Sequence, residues 1–298
     1  MDENTVNTDL ALERMPQSEK SREIEGTSVF SRENDNCIVT DITIETEDSA
    51  KIIGKPVGRY ITVEIKDAEY GGYEDSVSED ISAELLKLIN TPLPSCVLVA
   101  GLGNRHIPPD SLGARCVDKI NVTRVVCEYA GIESKVNVSA IAPGVLGVTG
   151  IETAEILQGI CDKVNPELII AVDSLCARDI HRIGNTVQMT DTGINPGGGL
   201  GNNRNAINSG VLGRRVICIG VPMVVYARTI CHNVMEQLMR KQNIDGGEEA
   251  VQSVMDEIDD EFVKSLVVTP KDIDSIADSV ASAIAKGINK ALETENIV

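Results

Sequence analysis

Two aspartates, Asp110 and Asp173, stand at positions where a carboxylate could act as an acid or a base. Asp173 directly follows the apolar run Ile169–Val172, where an unpaired carboxylate is costly to bury. A structural role, in which the carboxylate caps neighbouring amides, explains this position equally well. Asp110 follows Pro108 and Pro109 at the start of a predicted helix, where the helix dipole alone favours an acidic residue.

Two carboxylates that face each other across a crevice repel, so that one keeps its proton near neutral pH while the other is ionised. Such a pair can activate a water molecule and protonate a leaving group. If Asp110 and Asp173 form this pair, we expect Asp173 to be the ionised base, because amides at a strand end can stabilise its charge.

The stretch TDTGINPGGGLGNNR, residues 190–204, suggests two other chemistries and satisfies neither. Asp191 begins a D-T-G tripeptide, but a pepsin-like site needs a second such tripeptide in a β-rich chain. The glycines that follow lack the lysine of a phosphate-binding loop. The sequence therefore predicts a glycine-rich lip, at Gly197 and Gly199, that lets a peptide backbone approach, with Asp191 supporting the site.

Asn104 and His106 lie in the loop after the apolar run 96–102 and are further candidates for the rim of a site. No cluster of His and Cys has the spacing of a zinc site, so we expect no dedicated metal or other cofactor. The incomplete glycine motifs leave a nucleotide-binding enzyme as a weaker alternative.

The elements that must position these residues alternate between strands and helices. CVLVAGLG (96–103) and ELIIAVDSL (167–175) have the continuous apolar character of buried strands, and the helical pattern 150–164 lies between them. This alternation predicts an α/β fold with a mostly parallel twisted sheet and helices on both faces. Ligands bind such sheets beyond the carboxyl ends of the strands, where the candidate residues converge.

Composition narrows the possible partners. The chain of 298 residues has a net charge of −19, which disfavours direct binding of nucleic acid or of an anionic membrane. Its eight cysteines include no C-x-x-C pair, and the N-terminus has no apolar signal region. We therefore expect a cytoplasmic protein with free thiols, and a mobile, polar N-terminal portion to about residue 50.

Several long blocks together resemble the germination protease family of spore-forming bacteria. They are GLGNRHIPPDSLGARCVDKINVTR, AIAPGVLGVTGIETAEILQGICDKVNPELIIAVDSLCAR, TDTGINPGGGLGNNR, VICIGVPMVV and LVVTPKDID. The resemblance is dense over residues 96 to 230. It implies a three-layer α/β/α endopeptidase, similar to hydrogenase-maturation peptidases, that degrades small acid-soluble spore proteins in the spore core. It also implies a self-processing zymogen and a homotetramer.

The resemblance assigns the family's two catalytic aspartates to Asp110 in PPDSLG and Asp173 in AVDSLCAR. The matching acidic positions of hydrogenase-maturation peptidases bind nickel, so a metal-dependent peptidase is one alternative. A non-catalytic scaffold that binds spore proteins is another. The chain departs from the family at Met223 and Tyr226, where a threonine and an aspartate are usual.

The N-terminus carries a matching cleavage sequence. Family substrates resemble an acid, a hydrophobic residue and alanine, with cleavage after the acid. Asp9-Leu10-Ala11 fits this pattern, which predicts self-cleavage between Asp9 and Leu10, a propeptide of residues 1–9 and a single peptidase domain of residues 10–298. Glu23-Ile24 fits less well, because the next residue is Glu25 and not alanine.

Overall fold

One mixed sheet organises the chain in the computed structural model. The structure describes residues 8–15, 24–68, 72–90, 92–125, 129, 135–198, 205–241, 251 and 265–293. Within this part of the chain nine strands form one sheet, in the order β1-β2-β3-β7-β8-β6-β4-β5, with β9 paired to β8. The strands are β1 Thr27–Glu33, β2 Cys37–Ile44, β3 Gly58–Ile65, β4 Cys96–Gly101, β5 Asn137–Ile141, β6 Leu168–Ala177, β7 Thr186–Thr190, β8 Arg215–Tyr226 and β9 Val267–Val268.

Helices cover both faces of this sheet. They are α1 Glu47–Ile53, α2 Glu74–Ile89, α3 Leu112–Val117, α4 Leu146–Thr149, α5 Thr153–Val164, α6 Ser209–Leu212, α7 Ala227–Lys241 and α8 Ile273–Ala291. Apolar side chains of α2, α3 and α8 share one buried cluster with the sheet. Side chains of α5 and α6 share another cluster with alternate residues of β4, β6 and β8. The predicted α/β class with helices on both faces is confirmed.

Only three of the eight strand pairs within the described residues are parallel, which corrects the expectation of a mostly parallel sheet. The neighbours β5, β4, β6 and β8 run parallel, whereas β1, β2, β3 and β7 pair antiparallel with one another and with β8. The difference has a local cause in β1 and β2. Asn34 accepts hydrogen bonds from the N–H groups of Asn36 and Cys37, at 2.9 and 2.8 Å. This turn is too short for the crossover that a parallel pair needs.

Residues 27–53 correct a second expectation. The polar composition of the N-terminal portion indicated a mobile segment to about residue 50, but these residues form β1, β2 and α1. In β2, Cys37, Val39, Ile42 and Ile44 are all buried. One apolar face therefore suffices to hold this region in the sheet, although most of its other residues are polar.

No helix within the described ranges combines the length and the apolar character that a bilayer crossing requires.

Two glycines fix helix α3 against the ends of β4 and β6. A Cβ at Gly113 would meet Leu102 N at 2.5 Å and the Val172 carbonyl oxygen at 2.5 Å. A Cβ at Gly101 would meet the Gly113 carbonyl oxygen at 2.1 Å. Because these neighbours are backbone atoms, the contact cannot relax by moving one side chain. The contact places the loop before α3 directly beside the middle of β6, at Val172.

This close approach predicts that Gly113→Ala is destabilising. We expect the free energy of unfolding to fall by about 1–3 kcal/mol, because the methyl group forces the backbone apart. Urea denaturation would measure the change. Gly159→Ala in α5 is the matched control: its Cβ would meet nothing within 4 Å, and a gain of about 0.5–1 kcal/mol is expected. Equal effects of the two substitutions would contradict this account of the packing.

Candidate active site

Asp173 lies where β6 continues beyond its neighbour β4. The last paired residue of β4 is Gly101, opposite Val172, and one more backbone bond joins Leu102 N–H to the Val172 carbonyl at 2.8 Å. Asp173 follows immediately and is 3% exposed. Its carboxylate accepts a hydrogen bond from the Ser174 N–H at 2.9 Å. The expectation that Asp173 ends its strand is therefore wrong for β6 itself, which runs on to Ala177, although the ladder between β4 and β6 does end just before Asp173.

Asp110 reaches the same place from the loop between β4 and α3. It ends a 3₁₀ turn, Pro108–Asp110, and its carboxylate accepts a hydrogen bond from the Asn104 N–H at 2.8 Å. Gly103 has a φ of +91°, and a Cβ there would lie 2.2 Å from the Asp110 carbonyl oxygen. The loop therefore needs glycine at 103 to fold back and present Asp110.

The surroundings of Asp173 raise its pKa well above the ordinary value of an aspartate. Burial is the largest cause, and the charges of Asp110 and Asp9 act in the same direction, while the Ser174 N–H acts against them. Asp110 is thus close enough for its charge to act on Asp173. Because burial outweighs the one amide bond, Asp173 favours the protonated form. The direction of this shift is opposite to the one expected for an ionised base at Asp173.

The N-terminal segment Thr8–Met15 lies against this site. The Asp9 N–H donates to the Cys176 carbonyl at 2.9 Å, and the Cys176 N–H donates to the Asp9 carboxylate at 2.9 Å. Because Cys176 lies beyond the end of β4, its backbone N–H and carbonyl groups form no hydrogen bonds with that strand. A strand edge with unpaired donors and acceptors can bind a peptide in this way.

The two residues after Asp9 are fully buried. Leu10 is 0% exposed and packs in a cluster with Leu175, Ala177 and Val225. Ala11 is also 0% exposed, in a cluster that includes Tyr60. The site thus provides an apolar pocket after the acidic residue and then a tightly enclosed position. An acid, a hydrophobic residue and an alanine meet these requirements.

Glu13 anchors the far end of the segment. Its carboxylate accepts hydrogen bonds from the N–H groups of Arg178 and Asp179, at 2.7 and 2.9 Å, and lies 3.4 Å from the Arg182 Nε. The Thr8 hydroxyl also donates to Glu13. No motif in the sequence marks Glu13 as part of the site, apart from its position four residues after Asp9.

Comparison with known proteins gives the chain its family. The germination protease family profile matches residues 5–253. A germination protease of Clostridium perfringens is 40% identical over 316 residues, covering 98% of this chain and 97% of the relative. That of Caldanaerobacter subterraneus subsp. tengcongensis is 41% identical over 310 residues, covering 97% and 94%. The chain belongs to the germination protease family.

As a member of this family the chain is an endopeptidase, as the resemblance implied. A further relative, the germination protease of Priestia megaterium, is 39% identical over 240 residues and covers 78% of this chain and 65% of that protein. Among solved structures, a nickel–iron hydrogenase maturation protease of Thermococcus kodakarensis matches 59% of this chain and 99% of its own, with 12% identity and a TM-score of 0.30.

The remaining predicted residues of this germination protease family member lie in different places. Asn104 holds Asp110 through its backbone, as described. His106 is exposed and lines a separate depression with Arg115 and Asp278, against α3 and α8. Asp191 is also exposed and accepts a hydrogen bond from the Arg59 N–H at 2.9 Å. The structure therefore does not bring His106 to the aspartate pair, and it gives Asp191 a contact at a strand end.

The glycine-rich lip is described in part. Thr192, Gly193 and Gly198 line a cleft of about 450 Å³ that also contains Asp9. Gly197 has a φ of +68°, a conformation that favours glycine. Gly199 lies outside the described residues. Within the described ranges, no three His, Cys, Asp or Glu side chains are grouped as metal ligands.

The raised pKa of Asp173 predicts how stability depends on pH. The contribution of the Asp173 carboxyl group to the free energy of unfolding is fully present below the unfolded-state pKa of about 3.9. This contribution is lost as the pH rises from there through the higher folded-state pKa. In urea denaturation from pH 4 to pH 8, we expect Asp173→Asn to gain stability relative to the wild type as the pH rises. Asp191→Asn is the matched control, since it also removes one carboxylate but an exposed one. A difference for Asp173→Asn that does not vary with pH would contradict the prediction.

Proposed function

We propose that this germination protease family member cleaves its own chain between Asp9 and Leu10, with Asp110 and Asp173 as the acid–base pair. The observation that carries the proposal is the docking of Asp9 beside Asp173, through both hydrogen bonds to Cys176. The charge of Asp9 acts on the pKa of Asp173, which also supports their proximity. Residues 1–9 are then a propeptide, and the intact chain is a zymogen.

In this mechanism Asp110 is the base and Asp173 the acid. Asp110 takes a proton from a water molecule whose oxygen forms a bond to the carbonyl carbon of Asp9. The carbonyl oxygen takes up negative charge in the tetrahedral intermediate. As the electron pair returns, the bond between this carbon and the Leu10 nitrogen breaks, and Asp173 gives its proton to that nitrogen. The raised pKa of Asp173 suits a residue that must carry a proton at neutral pH.

The same site accounts for the proposed substrates, the small acid-soluble spore proteins. The backbone of Cys176 receives the acidic residue, the Leu10 pocket receives a hydrophobic side chain, and the enclosed position of Ala11 receives alanine. A peptide from another protein can occupy these places only when residues 8–13 have left them. We further propose, on the family resemblance alone, that the enzyme acts as a homotetramer in the spore core.

The proposal predicts the effect of removing either carboxyl group. Asp110→Asn and Asp173→Asn should each slow formation of the chain that begins at Leu10 by at least about 10²-fold, because each removes a proton-transfer group. Mass spectrometry of the N-terminus would follow the reaction. Asp191→Asn, whose side chain is exposed at the end of β7, should process like the wild type. Normal cleavage after Asp9 in either variant of the pair would sink the mechanism.

A second test concerns substrates supplied in trans. The processed chain should cut a small acid-soluble spore protein after a glutamate that precedes a hydrophobic residue and alanine. Replacing that glutamate by glutamine should reduce cleavage, because the N–H of Cys176 then meets a neutral amide instead of a carboxylate. Mass spectrometry of the fragments gives the cut site. Binding of the spore protein without any cleavage would instead support the non-catalytic scaffold.

A further inference from the structure

Two side chains outside the aspartate pair point at the carbonyl oxygen of Asp9. The Lys55 ammonium donates to this oxygen at 2.8 Å, and the Gln188 side-chain amide donates to it at 3.1 Å. The two donors come from different elements. Lys55 follows α1, and Gln188 is the third residue of β7. Two converging donors satisfy both lone pairs of one carbonyl oxygen.

The orientation of the Gln188 amide is fixed by a second contact. Its oxygen accepts a hydrogen bond from the Ala11 N–H at 2.7 Å. Because a backbone N–H can only donate, the amide oxygen must face Ala11, and the NH₂ group must face the Asp9 carbonyl. Gln188 is 6% exposed, so its donor is held in place and is shielded from competing water.

The sheet register places Gln188 next to the aspartate pair. Gly220 of β8 is opposite Asp173 on one side and opposite Gln188 on the other. Residues opposite each other project from the same face, so Asp173 and Gln188 share a face about 10 Å apart at two strand spacings. Gly220 between them has no side chain, and the Leu175 side chain packs over it, since a Cβ at Gly220 would lie 2.6 Å from Leu175 Cδ1.

Lys55 is positioned by the end of α1. Gly54 adopts a φ of +69° and caps the helix, and the N–H groups of Gly54 and Lys55 both bond to the Ala50 carbonyl, at 2.8 and 3.2 Å. This αL termination turns the chain so that Lys55 faces the cleft that contains Asp9. Ala50 and Ile53 of the same helix pack in the cluster that contains Ala11, which joins the helix to the N-terminal segment.

We propose that Lys55 and Gln188 are catalytic residues that stabilise the negative charge formed on the Asp9 carbonyl oxygen during cleavage. The proposal rests on the proposed self-cleavage between Asp9 and Leu10 and adds the groups that act on the oxygen. The aspartate pair supplies proton transfers but has no positive charge for the oxyanion. Donors that already lie on the oxygen before the reaction need little reorganisation as its charge grows.

The positive charge of Lys55 depends on pH. Burial, the largest cause, and the charge of Arg14 lower the pKa of Lys55, and the carboxylate of Asp9 opposes them, which leaves the pKa at about 8. The ammonium form therefore predominates at neutral pH and is lost above about pH 8. A half-buried cation beside the reacting oxygen gains more from that oxygen's new charge than a fully exposed cation would.

The experiment follows self-cleavage of full-length chains made by cell-free synthesis, with mass spectrometry for the chain that begins at Leu10. We expect Lys55→Met to slow the reaction by about 10²–10³-fold, as loss of an oxyanion donor does. Lys55→Arg should recover part of the rate and should keep it above pH 8, where the wild-type rate falls. Gln188→Glu keeps the acceptor for Ala11 and loses the donor, and it should be slowed by about 10-fold or more.

Lys51→Met is the matched control, because Lys51 lies on the same helix, its side chain is 77% exposed, and it pairs only with Asp48 among the described residues. Processed enzyme with a synthetic peptide of residues 5–14 separates catalysis from binding. Lys55→Met should lower kcat with KM changed by less than about threefold, since the charge forms only in the transition state.

Three outcomes distinguish the ideas. A wild-type rate in Lys55→Met overturns the role of Lys55, and a change confined to KM assigns Lys55 to substrate binding only. Both of these results leave the aspartate mechanism standing. Absence of cleavage after Asp9 in the wild-type chain, or its persistence in Asp173→Asn, overturns the proposed function and this inference with it.

Discussion

The unequal length of two neighbouring strands determines the site. β4 stops at Gly101 because the chain must turn through Leu102 and Gly103, and β6 continues for five further residues, 173–177. Their backbone groups on that side would cost free energy if they were buried without partners. The N-terminal segment provides partners at Cys176, and at Arg178 and Asp179 just after the strand. The register shift between Leu175 and Cys176 occurs opposite Pro222, which has no N–H to continue the ladder.

The site accommodates acidic residues in a protein that is acidic overall. The net charge is −19, yet Asp9 and Glu13 are held by donors from Cys176, Arg178, Asp179 and Arg182. Charges on the outer surface act weakly here, because screening in physiological salt limits them to about 8 Å. Local backbone N–H groups and half-buried cations therefore determine which side chains bind in the site. They also explain why recognition of an acid is compatible with a strongly negative chain.

The sequence singled out the candidate aspartates because each stands next to a distinctive local pattern. Asp173 follows a continuous apolar run that predicts a buried strand, and Asp110 follows two prolines in the loop between β4 and α3. Lys55 and Gln188 gave no such signal. Gln188 is one polar residue in an alternating strand, and its contact with Asp9 spans 179 positions of the chain. Such contacts depend on how β7 and α1 are placed in the sheet, and periodicity carries no information about that.

The polar N-terminal portion is a second region where the sequence predicted the structure wrongly. Its composition is typical of a mobile segment, but β1 pairs with β2 and β2 with β3 over seven and eight residues. Pairing with an existing sheet edge satisfies backbone groups regardless of side-chain polarity. Amino-acid composition reflects the preferences of side chains. It carries no information about which backbone groups of a neighbouring strand are available for pairing.

The anchoring of Leu10, Ala11 and Glu13 has a consequence for turnover. If the chain is cut after Asp9 as proposed, these three residues remain tethered to the enzyme beside the pockets they filled. A short tether keeps its end at an effective concentration in the millimolar range. The new N-terminus would then act as a competing ligand, and a spore protein would have to bind well enough, or be abundant enough, to displace it. Full activity would therefore require a rearrangement of residues 10–15 after the cut.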